Sequence, residues 1–147
     1  MTGWLLDTNI LSEMRRPRPE PKVANFIAAQ PLDRLFVSTV TLAELRFGIE
    51  RLTGQAGRAD LSHWLTNQIR PLFDGRVLEI SEDVMLEWRL MVEEEKRMRH
   101  TFPQPDLIIA ATAVVFGLTV VTRNDADFRR TRTPVLNPWV DEIPAAR

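Results

Sequence analysis

Short apolar runs alternate with longer segments of helical periodicity along the chain. The runs are rich in β-branched residues and predict five strands, the last of them weakly, at Gly3–Leu6, Leu35–Ser38, 76–80, 118–122 and 134–136. The segments between them are amphipathic or apolar and predict helices at Pro21–Ala29, 41–52, 60–73, 81–100 and 106–116. Because strands and helices alternate, we expect an α/β fold with a central, mostly parallel β-sheet of four to five strands flanked by helices.

Several predicted helices carry boundary signals. Ser81 is a good N-cap for the helix over 81–100, and Gly117 is a good terminator for the helix over 106–116. The sequence TLAE, from Thr41 to Glu44, has the form of a capping box, in which the glutamate bonds back to the cap backbone. The helix over 106–116 is apolar on nearly all sides, so we expect it to be central and buried.

The length and composition fit one domain. A chain of 147 residues with 44% hydrophobic content can bury a substantial core, so we expect a single domain over 1–147, with 138–147 as a proline-broken C-terminal tail. The longest apolar stretch, 107–121, is interrupted by polar residues and glycine and is too short for a membrane span. The N-terminus has no basic leader region. We therefore expect a cytoplasmic protein with no membrane segment.

Acidic residues stand where the predicted strands end or the predicted helices begin. They are Asp7 after GWLL, Glu44 in TLAEL, Asp106 before LIIAA, and Asp125 or Asp127 after LTVVT. The carboxyl ends of parallel strands share one edge of a sheet, where α/β proteins place their ligand sites. Carboxylates that converge there repel one another, so the pattern predicts a bound cation.

Each acid also has a purely structural interpretation. Asp7 is a suitable helix cap, Glu44 fits the capping box, and Asp106 gains from the dipole at a helix N-terminus. The acids at 125 and 127 are typical of a turn. Only their shared position at one predicted sheet edge favours a site.

The donor types restrict the kind of metal. The chain contains no cysteine, and its two histidines, His63 and His100, lie outside the acidic motifs. A site made of oxygen donors alone favours Mg²⁺ or Mn²⁺ over zinc or copper. The net charge of −1 gives no global attraction to nucleic acid. Two arginine groups nevertheless flank the first and last acid motifs and are candidates for contacts with phosphates: Arg15, Arg16 and Arg18, and Arg129, Arg130 and Arg132.

The motifs together resemble the PIN-domain ribonuclease family, and within it the VapC- or FitB-like toxins of type II toxin–antitoxin systems. The resemblance spans nearly the whole chain and rests on LLDTNILSE, VSTVTLAELRFGIERL, PQPDLIIAATAVVFGLTVVTRN, the following DF and the closing NPW. It implies a PIN-like three-layer sandwich.

The resemblance also assigns roles to residues. Asp7, Glu44, Asp106 and Asp127 match the family's catalytic acids, with Asp7 and Asp106 as metal ligands, and Thr8 and Thr122 match accessory hydroxyl positions. Asn124 stands where many relatives carry an acid. This departure leaves either Asp125 or Asp127 as the fourth acid, and the DF pairing favours Asp127.

The activity implied by the resemblance is that of an Mg²⁺- or Mn²⁺-dependent endoribonuclease toxin that hydrolyses RNA phosphodiester bonds with a metal-activated water. The implied partners are an RNA substrate, a cognate VapB- or FitA-like antitoxin and a second copy of the chain in a homodimer. An apolar groove beside Leu45, Phe47 and Trp64 is a candidate surface for the antitoxin.

Two alternatives stay open. A phosphatase or receiver-like phosphoacceptor also uses acids at a sheet edge, but a receiver needs a strand-end lysine that neither Lys22 nor Lys96 supplies. A catalytically impaired PIN-like module that binds RNA or a protein partner is the second alternative, and Asn124 is the residue that favours it.

Overall fold

The computed structural model describes residues 3–143, and within this range the predicted strands form one parallel sheet. The strands are β1 (Gly3–Leu6), β2 (Leu35–Ser38), β3 (Val77–Leu78), β4 (Leu118–Val121) and β5 (Val135–Leu136). Their order across the sheet is β3-β2-β1-β4-β5, and every neighbouring pair is parallel. The predicted α/β class and parallel sheet are therefore confirmed.

Helices connect the strands and cover both faces of the sheet. They are α1 (Thr8–Arg15), α2 (Pro21–Ala29), α3 (Thr39–Glu50), α4 (Gln55–Trp64), α5 (Arg70–Leu72), α6 (Glu82–Arg97), α7 (Gln104–Phe116) and α8 (Asp125–Phe128). A π-helical turn, Leu65–Ile69, joins α4 to α5. None of the helices in the described range is long and apolar enough to cross a membrane.

The side chains of β1 show why the fold has three layers. Trp4 and Leu6 belong to a core cluster on one face of the sheet, whereas Leu5 belongs to a second cluster on the other face. This alternation follows from the two-residue period of a strand, and it requires helices on both sides because both faces are apolar. Helix α7 supplies Ala110 and Ala111 to the second cluster, and both are fully buried as the apolar pattern predicts.

Three predicted helix starts are wrong. Ser38, the last residue of β2, caps α3 because its Oγ accepts a hydrogen bond from the Val40 N–H at 3.0 Å. The helix therefore begins at Thr39, and the predicted capping box of Thr41 and Glu44 does not form. Gly54 is the N-cap of α4, which begins at Gln55 and not at residue 60, and the preceding helix ends at Glu50. Helix α7 begins at Gln104, two residues before its predicted start.

The other boundary signals are confirmed. The Ser81 Oγ accepts from the Val84 N–H at 3.3 Å at the start of α6. Gly117 ends α7 in the left-handed region, with φ 66°, where a residue with a side chain would be strained.

Strand order places a crevice beside β1. The chain proceeds from β1 to β2 and β3 on one side of the sheet, and β4 and β5 lie on the other side. The strand order therefore reverses at β1. Ligand sites in open α/β sheets lie at the point of reversal, in the crevice outside the carboxyl ends of the strands. Asp7 follows β1 there and Thr122 follows β4.

The segment after β5 packs on the domain over the residues that the structure describes. Trp139 and Ile143 contact the core cluster that contains Trp4 and Leu6. Residues 144–147 of the predicted tail lie outside the described residues.

Candidate active site

A pocket of about 720 Å³ opens at the carboxyl edge of the sheet, beside β1. Asp7, Glu44 and Asp106 all line it, although they are separated by up to 99 residues in the sequence. This volume lies within the range of about 300–1,000 Å³ that is usual for ligand sites. The fold therefore brings three of the predicted acids together.

Asp7 is buried and held in a fixed orientation. Its Oδ1 accepts a hydrogen bond from the Thr8 N–H at 2.8 Å, so it is also the N-cap of α1. Its Oδ2 accepts from the Thr122 hydroxyl at 2.8 Å. Burial raises the pKa of Asp7 and outweighs these two hydrogen bonds, which lower it, while the Glu44 charge raises it further. The capping and site interpretations of Asp7 are thus compatible.

Asp106 lies in the first turn of α7, and its charge is poorly compensated. Burial, followed by repulsion from Asp7, raises its pKa to about 6, with smaller contributions from Asp127 and Glu44. A hydrogen bond from the Asn124 amide acts in the opposite direction but does not offset them. The acids are therefore close enough to disfavour one another's ionised forms in the absence of a cation.

Asn124 connects two of these acids. Its Nδ2 donates to the Asp106 carboxylate at 3.2 Å and to the Asp127 carboxylate at 3.1 Å. The neutral amide thus stands between Asp106 and Asp127, and its own N–H donates to the Thr122 hydroxyl oxygen at 3.0 Å. Asp127 does not line the pocket itself, and its connection to the pocket is through Asn124.

Asp125, the other candidate for the fourth acid, is directed elsewhere. Its carboxylate accepts hydrogen bonds from Arg129 Nε and from Asn137 Nδ2, each at 3.0 Å. Although burial raises the pKa of Asp125, these hydrogen bonds outweigh it and leave the pKa below its ordinary value. Asp125 does not line the acidic pocket, and its charge is already compensated.

The arginines of the two predicted groups differ in whether they reach the acidic pocket. Arg16 lines the acidic pocket and pairs with Glu13 at 3.2 Å. Arg15 lines a neighbouring groove that also contains Leu45 and Trp64, and Arg18 is exposed and lines neither cavity. Arg129 pairs with Asp125 and Asp141, and Arg130 contacts His100. Arg132 pairs with Glu87 and Glu94.

Sequence reasoning missed several residues of the pocket. Arg123 and Trp139 line it, and so does Asn9, whose Oδ1 accepts from the Arg123 N–H at 3.1 Å. Asn9 Nδ2 also donates to the Thr122 hydroxyl oxygen at 3.1 Å. The position of Arg123 between Thr122 and Asn124, at the end of a strand, was the available signal.

The donor set fits a hard divalent cation. Within residues 3–143, no group of three acidic or histidine side chains is arranged to hold a metal ion by itself. Mg²⁺ commonly binds through only one or two carboxylates and keeps several water ligands. Asp7 and Asp106 supply two oxygen donors whose mutual repulsion a cation would relieve, so the chemistry of the pocket matches Mg²⁺ or Mn²⁺.

Comparisons with known proteins agree with this architecture. The profile of the PIN domain matches residues 4–134. Toxin FitB of Neisseria gonorrhoeae is 36% identical to the chain, over 93% of this chain and 99% of FitB. The VapC ribonuclease Y4jK of Sinorhizobium fredii is 33% identical, over 92% of this chain and 96% of the relative.

A solved structure gives the same result in three dimensions. The crystal structure of FitAcB from Neisseria gonorrhoeae superimposes with a TM-score of 0.87 and 35% identity, covering 93% of this chain and 99% of that chain. The chain belongs to the PIN-domain family, and VapC- and FitB-type toxins are among its relatives.

Proposed function

We propose that this chain is an Mg²⁺- or Mn²⁺-dependent endoribonuclease toxin of a VapBC- or FitAB-like toxin–antitoxin pair. The observation that carries the proposal is the convergence of Asp7, Glu44 and Asp106 in one pocket, where burial and then repulsion from Asp7 raise the pKa of Asp106 to about 6. Relatives of the chain are named as ribonucleases and toxins, which supports RNA as the substrate.

Asp7 and Asp106 would hold the metal. Thr122 and the Thr8 N–H orient the Asp7 carboxylate, so its position is set before any ligand binds. When bound, the cation would lower the pKa of a water molecule and stabilise the charge that develops on the phosphodiester. Asn124 donates hydrogen bonds to both Asp106 and Asp127 and so fixes the orientation of these two carboxylates relative to each other.

Glu44 is suited to a different task. It is exposed at the rim of the pocket, on α3, and its repulsion raises the pKa of both Asp7 and Asp106. A solvent-accessible carboxylate beside the reacting phosphate can accept a proton from the attacking water. Arg16, on the same wall, is available to contact a substrate phosphate, with Glu13 orienting its guanidinium.

The test is RNA cleavage by the purified chain free of its antitoxin. Wild-type protein should cleave RNA with Mg²⁺ or Mn²⁺, and EDTA should abolish the cleavage. Asp7→Asn and Asp106→Asn should each lose most of it. Asp33→Asn is the matched control because Asp33 is exposed and precedes β2, at the opposite edge of the sheet. Cleavage that survives EDTA, or that is unchanged in both site variants, would contradict the proposal.

An antitoxin has a suitable groove beside the acidic pocket. Leu45, Ile49, Leu61 and Trp64 line this groove, of about 360 Å³, together with Glu44 and Thr8, which also line the acidic pocket. Phe47, named with Leu45 and Trp64 from the sequence, is 59% exposed nearby and does not line it. We propose that an antitoxin segment places apolar side chains here and extends toward the acids.

Solved relatives support such a partner. The FitAB structure of a relative at 33% identity and TM-score 0.87 is bound to an IR36 DNA fragment. Co-expression with the product of the adjacent upstream reading frame should suppress RNA cleavage and yield a stable complex. Leu45→Glu should weaken the complex while RNA cleavage by the free chain persists. If Leu45→Glu binds the antitoxin with undiminished affinity, this groove is not the antitoxin-binding surface.

The remaining parts of the proposal concern assembly and location. We propose a single PIN domain over 1–147 that pairs as a homodimer and acts on RNA in the cytoplasm. Light scattering of the purified chain tests the dimer directly, and a monomeric mass at micromolar concentration would exclude it.

One observation favours a second candidate, a PIN-like module that binds RNA or a partner without cleaving. Asn124 places an uncharged amide between Asp106 and Asp127 and reduces the negative charge available for a metal. Calorimetric titration with Mn²⁺ separates the candidates. Saturable binding that Asp7→Asn abolishes supports the nuclease, whereas no binding and no rise in melting temperature supports the module.

A further inference from the structure

We propose that Arg123 and Trp139 form a subsite on which one unpaired base of a single-stranded RNA stacks, beside the acids. The inference rests on the proposed ribonuclease function and extends it to how substrate is held. It follows from three features of the structure: the pairing of the two side chains, the supports that fix them, and their direct connection to the residues that position the acids.

Arg123 and Trp139 are paired on the wall of the acidic pocket. The Arg123 Cζ lies over the Trp139 ring, 5.1 Å from the ring centroid. Both residues line the pocket that contains Asp7 and Asp106, and Trp139 is the only aromatic residue among its lining residues in the described chain. Arg123 is exposed and Trp139 is half-buried, so a ligand in the pocket can reach the pair.

Asn137 fixes the two residues relative to each other. Its side chain is buried, its Nδ2 donates to the Arg123 carbonyl at 3.3 Å, and its Oδ1 accepts from the Trp139 N–H at 3.0 Å. Asn137 Nδ2 also donates to Asp125 at 3.0 Å. One buried amide therefore joins the end of β4, helix α8 and the segment after β5.

The segment 122–124, which contains Arg123, also positions the acids. Arg123 lies between Thr122, which holds Asp7, and Asn124, which bridges Asp106 and Asp127. Its N–H donates to Asn9, which follows β1 and also contacts Thr122. A base on this subsite would therefore be held in a fixed register with the acids, which is what selection of a scissile bond requires.

The chemistry of the pair suits RNA. Single-stranded RNA is commonly recognised by stacking its unpaired bases on aromatic rings and on arginine guanidinium planes. Arginine also attracts the neighbouring phosphates, which the acids of the pocket would otherwise repel. The other arginine–aromatic pairs differ in place: Arg15 with Trp64, Arg51 with Phe47 and Arg76 with Phe73 include no aromatic ring that lines the acidic pocket.

The test combines protein variants with abasic substrates. The probe is a fluorescein-labelled, unstructured RNA 12-mer, with a single abasic site moved along it one nucleotide at a time. Affinity is measured by anisotropy with Ca²⁺, and cleavage is measured with Mn²⁺. For the wild type, an abasic site at one position should weaken binding roughly tenfold, the scale of one base stacked on an aromatic ring. The same position should slow cleavage.

The protein variants test which residue the base stacks on. Trp139→Leu keeps apolar bulk, so the fold should persist, but binding should weaken about tenfold and become insensitive to the abasic position. Trp139→Phe should restore the sensitivity, and Arg123→Lys, which keeps the charge without the plane, should lose it. Phe116→Leu is the control, since Phe116 is exposed at the opposite end of α7 from Asp106.

The outcomes separate this inference from the proposed function. Normal cleavage by Trp139→Leu, with wild-type sensitivity to the abasic position, would overturn the subsite and leave the nuclease in place. Absence of cleavage by the wild type, with the base-sensitive binding retained, would overturn the nuclease and support the subsite. A melting temperature of Trp139→Leu equal to that of Trp139→Phe excludes unfolding as the cause of any loss.

Discussion

Asp106 and Asp125 are carboxylates near the same sheet edge, yet their surroundings are opposite. Asp106 faces other acids, and burial and the charge of Asp7 raise its pKa to about 6. Burial also raises the pKa of Asp125, but hydrogen bonds from Arg129 and Asn137 outweigh it and lower the pKa below the ordinary value. The charge of Asp125 is compensated by the folded chain, whereas the single hydrogen bond from Asn124 does not offset the burial and repulsion that act on Asp106.

This difference distinguishes an acid suited to stabilising the fold from an acid suited to binding a cation. An acid whose charge is compensated by the protein contributes to stability and has no spare capacity for a cation. An acid held among like charges costs stability and becomes favourable only when a cation binds. Strongly perturbed carboxylates in a pocket are for this reason candidates for functional sites.

The largest expected effect is on catalysis by Asp106→Asn. The substitution keeps the shape of the side chain but removes the charge that would hold the metal, so RNA cleavage should fall by roughly 10²–10⁴-fold, which corresponds to several kcal/mol. Single-turnover cleavage with Mn²⁺ measures the effect. If the cleavage rate of Asp106→Asn is within threefold of the wild-type rate, the contrast between Asp106 and Asp125 has no bearing on catalysis.

Metal binding should have the next largest effect, and it is visible without any substrate. At a Mn²⁺ concentration of about 100 times the dissociation constant, binding adds about 2.7 kcal/mol to stability. For a chain of this size the melting temperature should rise by about 5–10 °C. EDTA should reverse the rise, and Asp7→Asn should prevent it. An equal rise in Asp7→Asn would show that the ion binds elsewhere.

The sequence predicted the acids of the pocket better than it predicted their partners. Asp7 and Asp106 were identifiable because a strand end and the start of an apolar helix fix where the backbone must lie. The choice between Asp125 and Asp127 was not decidable in this way. It depends on side-chain directions in the four-residue helix α8, where Asp125 bonds to Arg129 and Asn137.

Two further features could not be derived from the sequence, for local physical reasons. Ser38 and Thr41 are both capable N-caps, and only the point at which β2 ends selects Ser38. Trp139 lies in the predicted tail because Pro138 interrupts any regular element, and no pattern in the sequence gives its packing. Its place on the pocket wall depends on Asn137, a contact that sequence periodicity does not encode.

The pH dependence of stability should also separate Asp106 from Asp125. Between pH 3.8 and about 6, the folded chain keeps a proton on Asp106 that the unfolded chain has lost. Stability of the metal-free chain should therefore fall as the pH rises through this window, and the cost is fully present above about pH 6. Asp7, whose pKa is also raised, acts in the same direction.

Asp106→Asn removes this cost. Its metal-free form should melt roughly 2–4 °C above the wild type at pH 7.5, and the difference should vanish near pH 4. Differential scanning calorimetry in EDTA at the two pH values measures it. A variant that melts below the wild type at pH 7.5 would indicate that Asp106 has a stabilising partner.

The smallest expected effect belongs to Asp125→Asn, and it should have the opposite sign. The ion pair with Arg129 joins side chains that are 27% and 47% exposed, so solvent screens it and its loss should cost only about 0.2–1 kcal/mol. Because the folded pKa of Asp125 lies below 3.8, the stabilisation is present above that pH and is lost as the pH falls further. The melting temperature at pH 7.5 should therefore drop by about 1–4 °C.

RNA cleavage by Asp125→Asn below the melting transition should stay within about fivefold of the wild type, since the pocket keeps Asp7 and Asp106. A loss of activity comparable to that of Asp106→Asn, in a protein that remains folded, would assign Asp125 to the metal site and dissolve the distinction between the two carboxylates.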